Sequence, residues 1–162
     1  MRKLLENIYR EHRQALFSLA LTITHQRELA EDAIHDAIVR LCRSGRQPTG
    51  DPVAYVFASV RNAALDQMRR KRFVHSSIDS IFESAGSFDS PSQDIEEDEQ
   101  SAMLRSALEK LPDAQRETIV MKLYGNLTFD QIAQASNEPL STVSSRYRRG
   151  IAALKESMEA LV

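Results

Sequence analysis

The stretch Leu127-Thr128-Phe129-Asp130-Gln131-Ile132-Ala133-Gln134-Ala135-Ser136-Asn137-Glu138-Pro139-Leu140-Ser141-Thr142-Val143-Ser144-Ser145-Arg146-Tyr147-Arg148-Arg149 decides how the chain is read. Thr128 stands where a helix wants its N-cap, and the apolar spacing after it predicts a short helix over Phe129 to Ala135. Ser136-Asn137-Glu138-Pro139 is turn material, with Asn137 suited to a left-handed backbone. Ser141 is placed to cap a last helix. At about 100° per residue, Val143, Tyr147, Ile151 and Leu154 gather on one side of that helix, with Leu140 close by, and are expected to pack inward. Ser145 and Arg149 fall at the centre of the opposite side, Ser141, Thr142 and Arg148 on its flanks, and Ser144 and Arg146 at its edges. Two short helices joined by a tight turn outline a helix-turn-helix. Small hydroxyls and arginines on the free face suit a DNA major groove, because Arg pairs with guanine and Ser admits close approach of the backbone. A solvated helix in a protein-interaction bundle carries the same pattern.

Upstream, Met103, Leu104, Ala107, Leu108 and Leu111 mark a helix that stops at Pro112. Another is predicted from Asp113 to Tyr124 through Ile119, Val120 and Leu123, ended by Gly125-Asn126. The N-terminal part repeats the helical period. Leu4, Leu5, Ile8, Tyr9, His12, Leu16, Leu19, Ala20 and Ile23 form one apolar stripe. Leu29, Ala33, Ile34, Ala37, Ile38 and Leu41 form a second, over about Glu28 to Arg43, which leaves Glu31, Asp32, His35, Asp36 and Arg40 outside. Ser44 to Gly50 breaks this helix, and Asp51-Pro52 starts the next with an N-cap and a proline at the first helical position. It continues through Tyr55, Val56, Val60, Ala63, Ala64 and Met68 to Arg69-Arg70-Lys71-Arg72. A basic helix end has two readings, since cations there are favoured by the helix dipole and four in a row with Arg61 also suit phosphate oxygens.

The 162 residues carry a formal net charge of -2, which argues against a uniformly basic nucleic-acid binder. The average hides zoning. Residues 1–72 hold 13 basic and 8 acidic side chains, 73–100 hold 8 acids and no Lys or Arg, and 101–162 hold 8 basic and 7 acidic. The acidic middle, rich in Ser, Asp and Gly, reads as a linker. Its run from Asp94 to Glu99 also suits the first turn of a following helix. The expected organisation is therefore all-α: two small helical domains, 1–72 and 100–162, joined by a flexible acidic linker, 73–99. A tether that only solubilises and one that covers a basic surface until a partner engages are both compatible with this composition.

With 42% hydrophobic residues, 5 Gly and 5 Pro, the chain is neither disordered nor a turn-rich sandwich. The single cysteine, Cys42, cannot form an internal disulfide, and its expected place is a buried small hydrophobe rather than a redox sensor. No zinc spacing and no phosphate-binding glycine loop occur, and His12, His25, His35 and His75 fall in no catalytic pattern. No metal, cofactor, small-molecule substrate or enzymatic activity is expected. Glu6, Asn7 and Arg10 interrupt the N-terminus where a secretion signal needs an apolar run, and no stretch approaches a membrane span, so a cytoplasmic protein is expected.

Three segments resemble the bacterial sigma-70 family. Ala30-Glu31-Asp32-Ala33-Ile34-His35-Asp36-Ala37-Ile38-Val39-Arg40-Leu41 is similar to region 2.2, and Tyr55-Val56-Phe57-Ala58-Ser59-Val60-Arg61-Asn62-Ala63-Ala64-Leu65-Asp66-Gln67-Met68-Arg69-Arg70 to regions 2.3 and 2.4. Ala107-Leu108-Glu109-Lys110-Leu111-Pro112-Asp113-Ala114-Gln115-Arg116-Glu117 with the helix-turn-helix resembles region 4. Ile38 and Cys42 stand where the family usually has Phe and Trp, Asn137 where it has a turn glycine, Glu138 where an apolar residue is usual, and Ser144 where Lys or Arg is common. The resemblance covers roughly three quarters of the chain and is that of an extracytoplasmic-function (group IV) factor. It implies binding to core RNA polymerase through Glu31, Asp32, His35, Asp36 and Val39. It implies recognition of the unpaired -10 element by Tyr55, Arg61, Asn62, Arg69 and Arg70. For the -35 element it implies Ser141, Thr142, Ser144, Ser145, Arg146, Arg148 and Arg149. An anti-sigma partner is implied as well. The runner-up is a stand-alone helix-turn-helix regulator that binds operators as a dimer without polymerase.

Overall fold

The computed structural model describes residues 1–77 and 98–160. Their regular structure is helical: α1 (Arg2–Thr24), α2 (Arg27–Ser44), α3 (Pro52–Ser77), α4 (Glu99–Glu109), α5 (Asp113–Leu123), α6 (Phe129–Ser136) and α7 (Leu140–Glu159). Of the acidic linker expected over 73–99, residues 78–97 lie outside the described residues. At its near end α3 runs five residues past Arg72, and at its far end Asp98 caps α4 by accepting the Ser101 N–H at 2.7 Å. That hydrogen bond holds the Asp98 carboxyl below the ordinary carboxylate range.

Local chemistry sets the other helix ends. The His25 N–H closes α1 on the Leu21 carbonyl at 2.8 Å with a left-handed φ of 58°. One Asp51 oxygen accepts the Ala54 N–H at 3.1 Å, capping α3 as predicted. Thr128 and Gln131 form a reciprocal capping box on α6, and Asn137 ends it at φ 54°. The expected cap at Ser141 is different: α7 begins at Leu140 behind Pro139, whose position at the N-cap leaves Ser141 inside the first turn. Leu140, at the tip of the helix, is correspondingly exposed instead of packed.

Helices α1, α2 and α3 pack on one another around Leu16, Leu19, Ala33, Val56, Phe57 and Val60. In the second unit α7 lies across α4, α5 and α6, with Val143, Gly150 and Leu154 inward. Gly150 lets α7 approach α5 closely: a Cβ there would lie 2.5 Å from Ile119 Cδ1, so the Ile119 side chain would have to shift. Cys42 is exposed, against the expectation of burial. Its neighbour Leu41 holds the inward position, and one residue along a helix turns the side chain about 100° away.

The two units do not stand apart. α1 packs on α5 and α3 on α6, and the buried side chains Val120, Met121, Leu127, Ile132 and Ala135 join the same core as Val56, Phe57 and Val60. Phe57 meets His12 of α1 edge-on, at 5.5 Å between ring centroids, and its ring tip also reaches the turn at Gly125.

Candidate nucleic-acid interface

The free face of α7 is built by what its other face buries. Val143 is fully buried, Tyr147 stacks edge-on against Phe129 at 5.2 Å, and Gly150 sits on Ile119. This anchoring leaves Ser141, Arg148 and Arg149 exposed and Thr142, Ser144, Ser145 and Arg146 half-buried. The exposed cations and the hydroxyls thus share the outer side of a rigidly held helix. Arg146 is engaged within the motif: its Nη2 lies 3.3 Å from Glu138 Oε1. Glu138, in the turn, therefore orients one of the residues expected to reach DNA.

Along α3, Tyr55, Asn62 and Arg69 follow one another at seven-residue spacing and so fall on one stripe. Asn62 and Arg69 are exposed, while Tyr55 is half-buried and packs against the shared core. Arg70 is exposed beside Arg69. Asp66 is shared by Arg69, at 3.6 Å, and Arg40 of α2, at 3.9 Å. Arg61 departs from the stripe, because one residue of helical rotation aims it at α5, where its Nε donates to Glu117 Oε1 at 3.0 Å. Glu117 is buried, and desolvation, opposed by the Arg61 charge, pushes its carboxyl above the ordinary range. Arg69 and Arg72 line a cleft of about 210 Å³ with His25, Asp113 and Glu117. Burial and the nearby Arg116 hold His25 below the ordinary imidazole value.

On α2 the five residues expected to meet a partner fall into two adjacent stripes. Glu31 and His35 line an open groove of about 910 Å³ between α1 and α2, together with Phe17, Ile34, Ile38 and Tyr124. Glu31 also pairs with Arg27 at 3.0 Å. Asp32, Asp36 and Val39 occupy the neighbouring stripe, with Asp32 exposed and the other two half-buried. Exposed Tyr124, just past the end of α5, extends the apolar edge of this groove.

Sequence reasoning missed several residues on which these surfaces depend. The Arg116 guanidinium is buried and donates to the carbonyls of Leu108, Glu109 and Leu111, at 2.8, 2.7 and 2.7 Å, which closes the end of α4 onto α5. Gln134 spans the two units, accepting the Asp51 N–H at 3.1 Å and donating to the Thr49 carbonyl at 3.0 Å. Gln131 donates to the second Asp51 oxygen at 3.2 Å. A polar glutamine on a short helix gives no sequence signal of such a role.

The fold and these faces define an all-helical DNA-binding protein with a helix-turn-helix in its second unit. Residues 8–74 match the family described as sigma-70 region 2, and residues 101–154 match sigma-70, region 4. Over 157 residues the chain is 26% identical to the ECF RNA polymerase sigma factor SigK of Mycolicibacterium vanbaalenii, covering 93% of this chain and 79% of that one. Over 132 residues it is 27% identical to the ECF RNA polymerase sigma factor RpoE of Cereibacter sphaeroides, covering 80% and 72%. In fold it is similar to the sigma factor RpoE of Bartonella quintana, solved in complex with the anti-sigma factor NepR. That likeness has a TM-score of 0.72 at 24% identity and covers 95% of this chain and 96% of that one. The chain belongs to the sigma-70 family and is an RNA polymerase sigma factor of the extracytoplasmic-function group. Among the described residues, no helix is long and apolar enough to cross a membrane.

Proposed function

We propose that the two helical units divide promoter recognition between them. The unit of residues 1–72 binds core polymerase through Glu31, Asp32, His35, Asp36 and Val39 on the outer side of α2. It takes the unpaired -10 strand on α3, where Tyr55 offers a ring for base stacking, Asn62 a hydrogen-bonding amide, and Arg61, Arg69 and Arg70 phosphate contacts. The unit of residues 100–162 lays α7 in the major groove of the -35 element. There Arg148 and Arg149 reach base edges, Ser141, Thr142, Ser144 and Ser145 admit close approach, and Arg146 is held in place by Glu138. The chain acts by binding alone, in the cytoplasm where polymerase is, and an anti-sigma factor restrains it, as NepR is bound to the similar RpoE of Bartonella quintana.

The observation that carries this reading is the division of α7: Val143, Gly150 and Leu154 are buried while Arg148 and Arg149 stand in solvent on the other side. Run-off transcription with reconstituted polymerase on the promoter of the protein's own operon tests it. Arg148→Ala with Arg149→Ala is expected to abolish the run-off product while leaving binding to core polymerase intact. Full activity of that double variant would remove α7 from the interface.

A further inference from the structure

The cations around the reading helix are not equally available. From Leu127 to Gly150 the motif carries three arginines, Arg146, Arg148 and Arg149, against two acids, Asp130 and Glu138. Lys122, just before it, lies over the Phe129 ring at 4.7 Å and donates to the Leu127 carbonyl at 3.1 Å, so its charge is committed to the motif itself. Arg148 and Arg149 are exposed, whereas Arg146 is half-buried with its Nη2 3.3 Å from Glu138 Oε1. Glu138 is no loose partner. Its N–H donates to the Ala133 carbonyl at 3.0 Å, and Asn137 before it holds a left-handed φ of 54°, so the turn fixes the backbone that carries the carboxylate. The Arg146 charge also acts on the buried Glu117 of α5, which sets two carboxylates about one guanidinium.

Arg146 sits one residue past Ser145, about 100° round the helix from the centre of the free face. A helix in a major groove turns its centre to base edges and its flanks to the phosphate walls, so Arg146 meets DNA backbone while Arg149 meets bases. We propose that Glu138 holds down the sequence-independent part of the -35 contact by withholding Arg146 from the DNA backbone. The carboxylate takes the place of a phosphate oxygen on the guanidinium, and a phosphate approaching the same group meets a negative charge beside it. An arginine neutralised in this way releases no counterion from DNA. The reader therefore grips through Arg148 and Arg149, and an element that lacks their base contacts is not held by phosphates alone. The proposal rests on the assignment of α7 to the -35 element, within which Arg146 keeps its place but contributes little of its charge.

The test uses the full chain mounted on core polymerase. Labelled duplexes carry the -35 element of its own operon's promoter, or single-base variants of it, and dissociation constants are measured across a salt series. Glu138→Gln keeps the side-chain shape and removes the charge. It is expected to tighten binding to every duplex by the same factor, about eightfold at about 0.1 M salt, and to steepen the plot of log affinity against log salt by about 0.9, as for one added phosphate contact. Glu138→Ala should do the same. Adding Arg146→Ala to Glu138→Gln should return both quantities to their wild-type values. Unchanged or weaker binding by the two Glu138 variants, whether at every duplex or at one base position, overturns the proposal. Arg148→Ala with Arg149→Ala is the control on the -35 assignment. If that double variant binds the duplexes as the wild type does, α7 is not the reader; if it is weakened while the Glu138 variants behave as wild type, only the role of Glu138 fails.

Discussion

Arg61 of α3 and Glu117 of α5 lie 56 residues apart in sequence and 3.0 Å apart in space, with both side chains largely withdrawn from water. A pair so placed costs desolvation on both sides, and the upward shift of the Glu117 carboxyl shows that burial outweighs the attraction of Arg61. Its contribution is geometric: it fixes which face of the first unit meets the second. Removing only one partner leaves a buried charge alone, so the two ends of the pair are not equivalent to mutate.

Glu117 makes the association of the units depend on pH. Arg61, Asp113 and Arg146 are the charges that act on it. Because its carboxyl binds a proton more tightly in the folded state than in water, its contribution is fully present below the ordinary value of 4.5 and is lost as the pH rises through the raised value. Melting temperature followed across this window should show proton uptake on folding. Glu117→Gln should flatten that slope.

His25 works in the opposite sense. Its folded value is lowered from 6.5, so its contribution is present above 6.5 and is lost as the pH falls through the lowered value, when a cation forms close to Arg116. His25→Asn keeps a residue tolerant of the left-handed φ at the end of α1 and cannot take up the proton. Stability of that variant between neutrality and pH 5 should decline less than that of the wild type.

Arg116 ties three carbonyls with one planar guanidinium, a geometry that an ammonium group does not reproduce. Arg116→Lys should destabilise the protein by about 2 kcal/mol, since hydrogen bonds to a charged donor are each worth roughly 1.5–3 kcal/mol and some are retained. Chemical denaturation checks the figure. A change below a few tenths of a kcal/mol would remove Arg116 from the structural role given to it.

Gly125 is constrained by backbone contact. A Cβ there would stand 2.7 Å from the Met121 carbonyl oxygen and 2.7 Å from Leu127 Cδ1, with Phe57 just beyond. Gly125→Ala should therefore cost about 1–3 kcal/mol by forced displacement. Because Phe57 belongs to the other unit, the loss should appear as a lower melting temperature of the whole chain.

Helix number and most helix ends were legible in the sequence, because they are local. The apolar period placed α1, α2 and α3, and Asp51, Thr128 and Asn137 announced their own turns. The exceptions have equally local causes. α3 outlasted its basic end because Phe73 and Val74 do not break a helix, and Pro139 displaced Ser141 from the cap. The fate of Cys42 turned on a single residue of rotation from Leu41. The outward face of α7 could be assigned by angle and that of α2 from its apolar stripe, whereas Arg61 of α3 turns to α5 and the contact between units could not be foreseen. Gln134 and Asp51, 83 residues apart, are ordinary polar residues whose partnership exists only once both units are folded. Glu117 has the same sequence character as a solvated glutamate, and only its packing against α3 makes it a buried counter-ion.

Reconstituted core polymerase with the full chain and a promoter from its own operon, carrying a fluorescent adenine analogue in the -10 element, brings polymerase binding, promoter recognition and strand capture into one signal. Fluorescence should rise on adding the chain with polymerase, as the analogue unstacks, and should stay flat with the chain alone or with Arg148→Ala plus Arg149→Ala. A flat signal with wild-type chain and polymerase together, or an equal rise without polymerase, would contradict promoter recognition by a polymerase-mounted sigma factor.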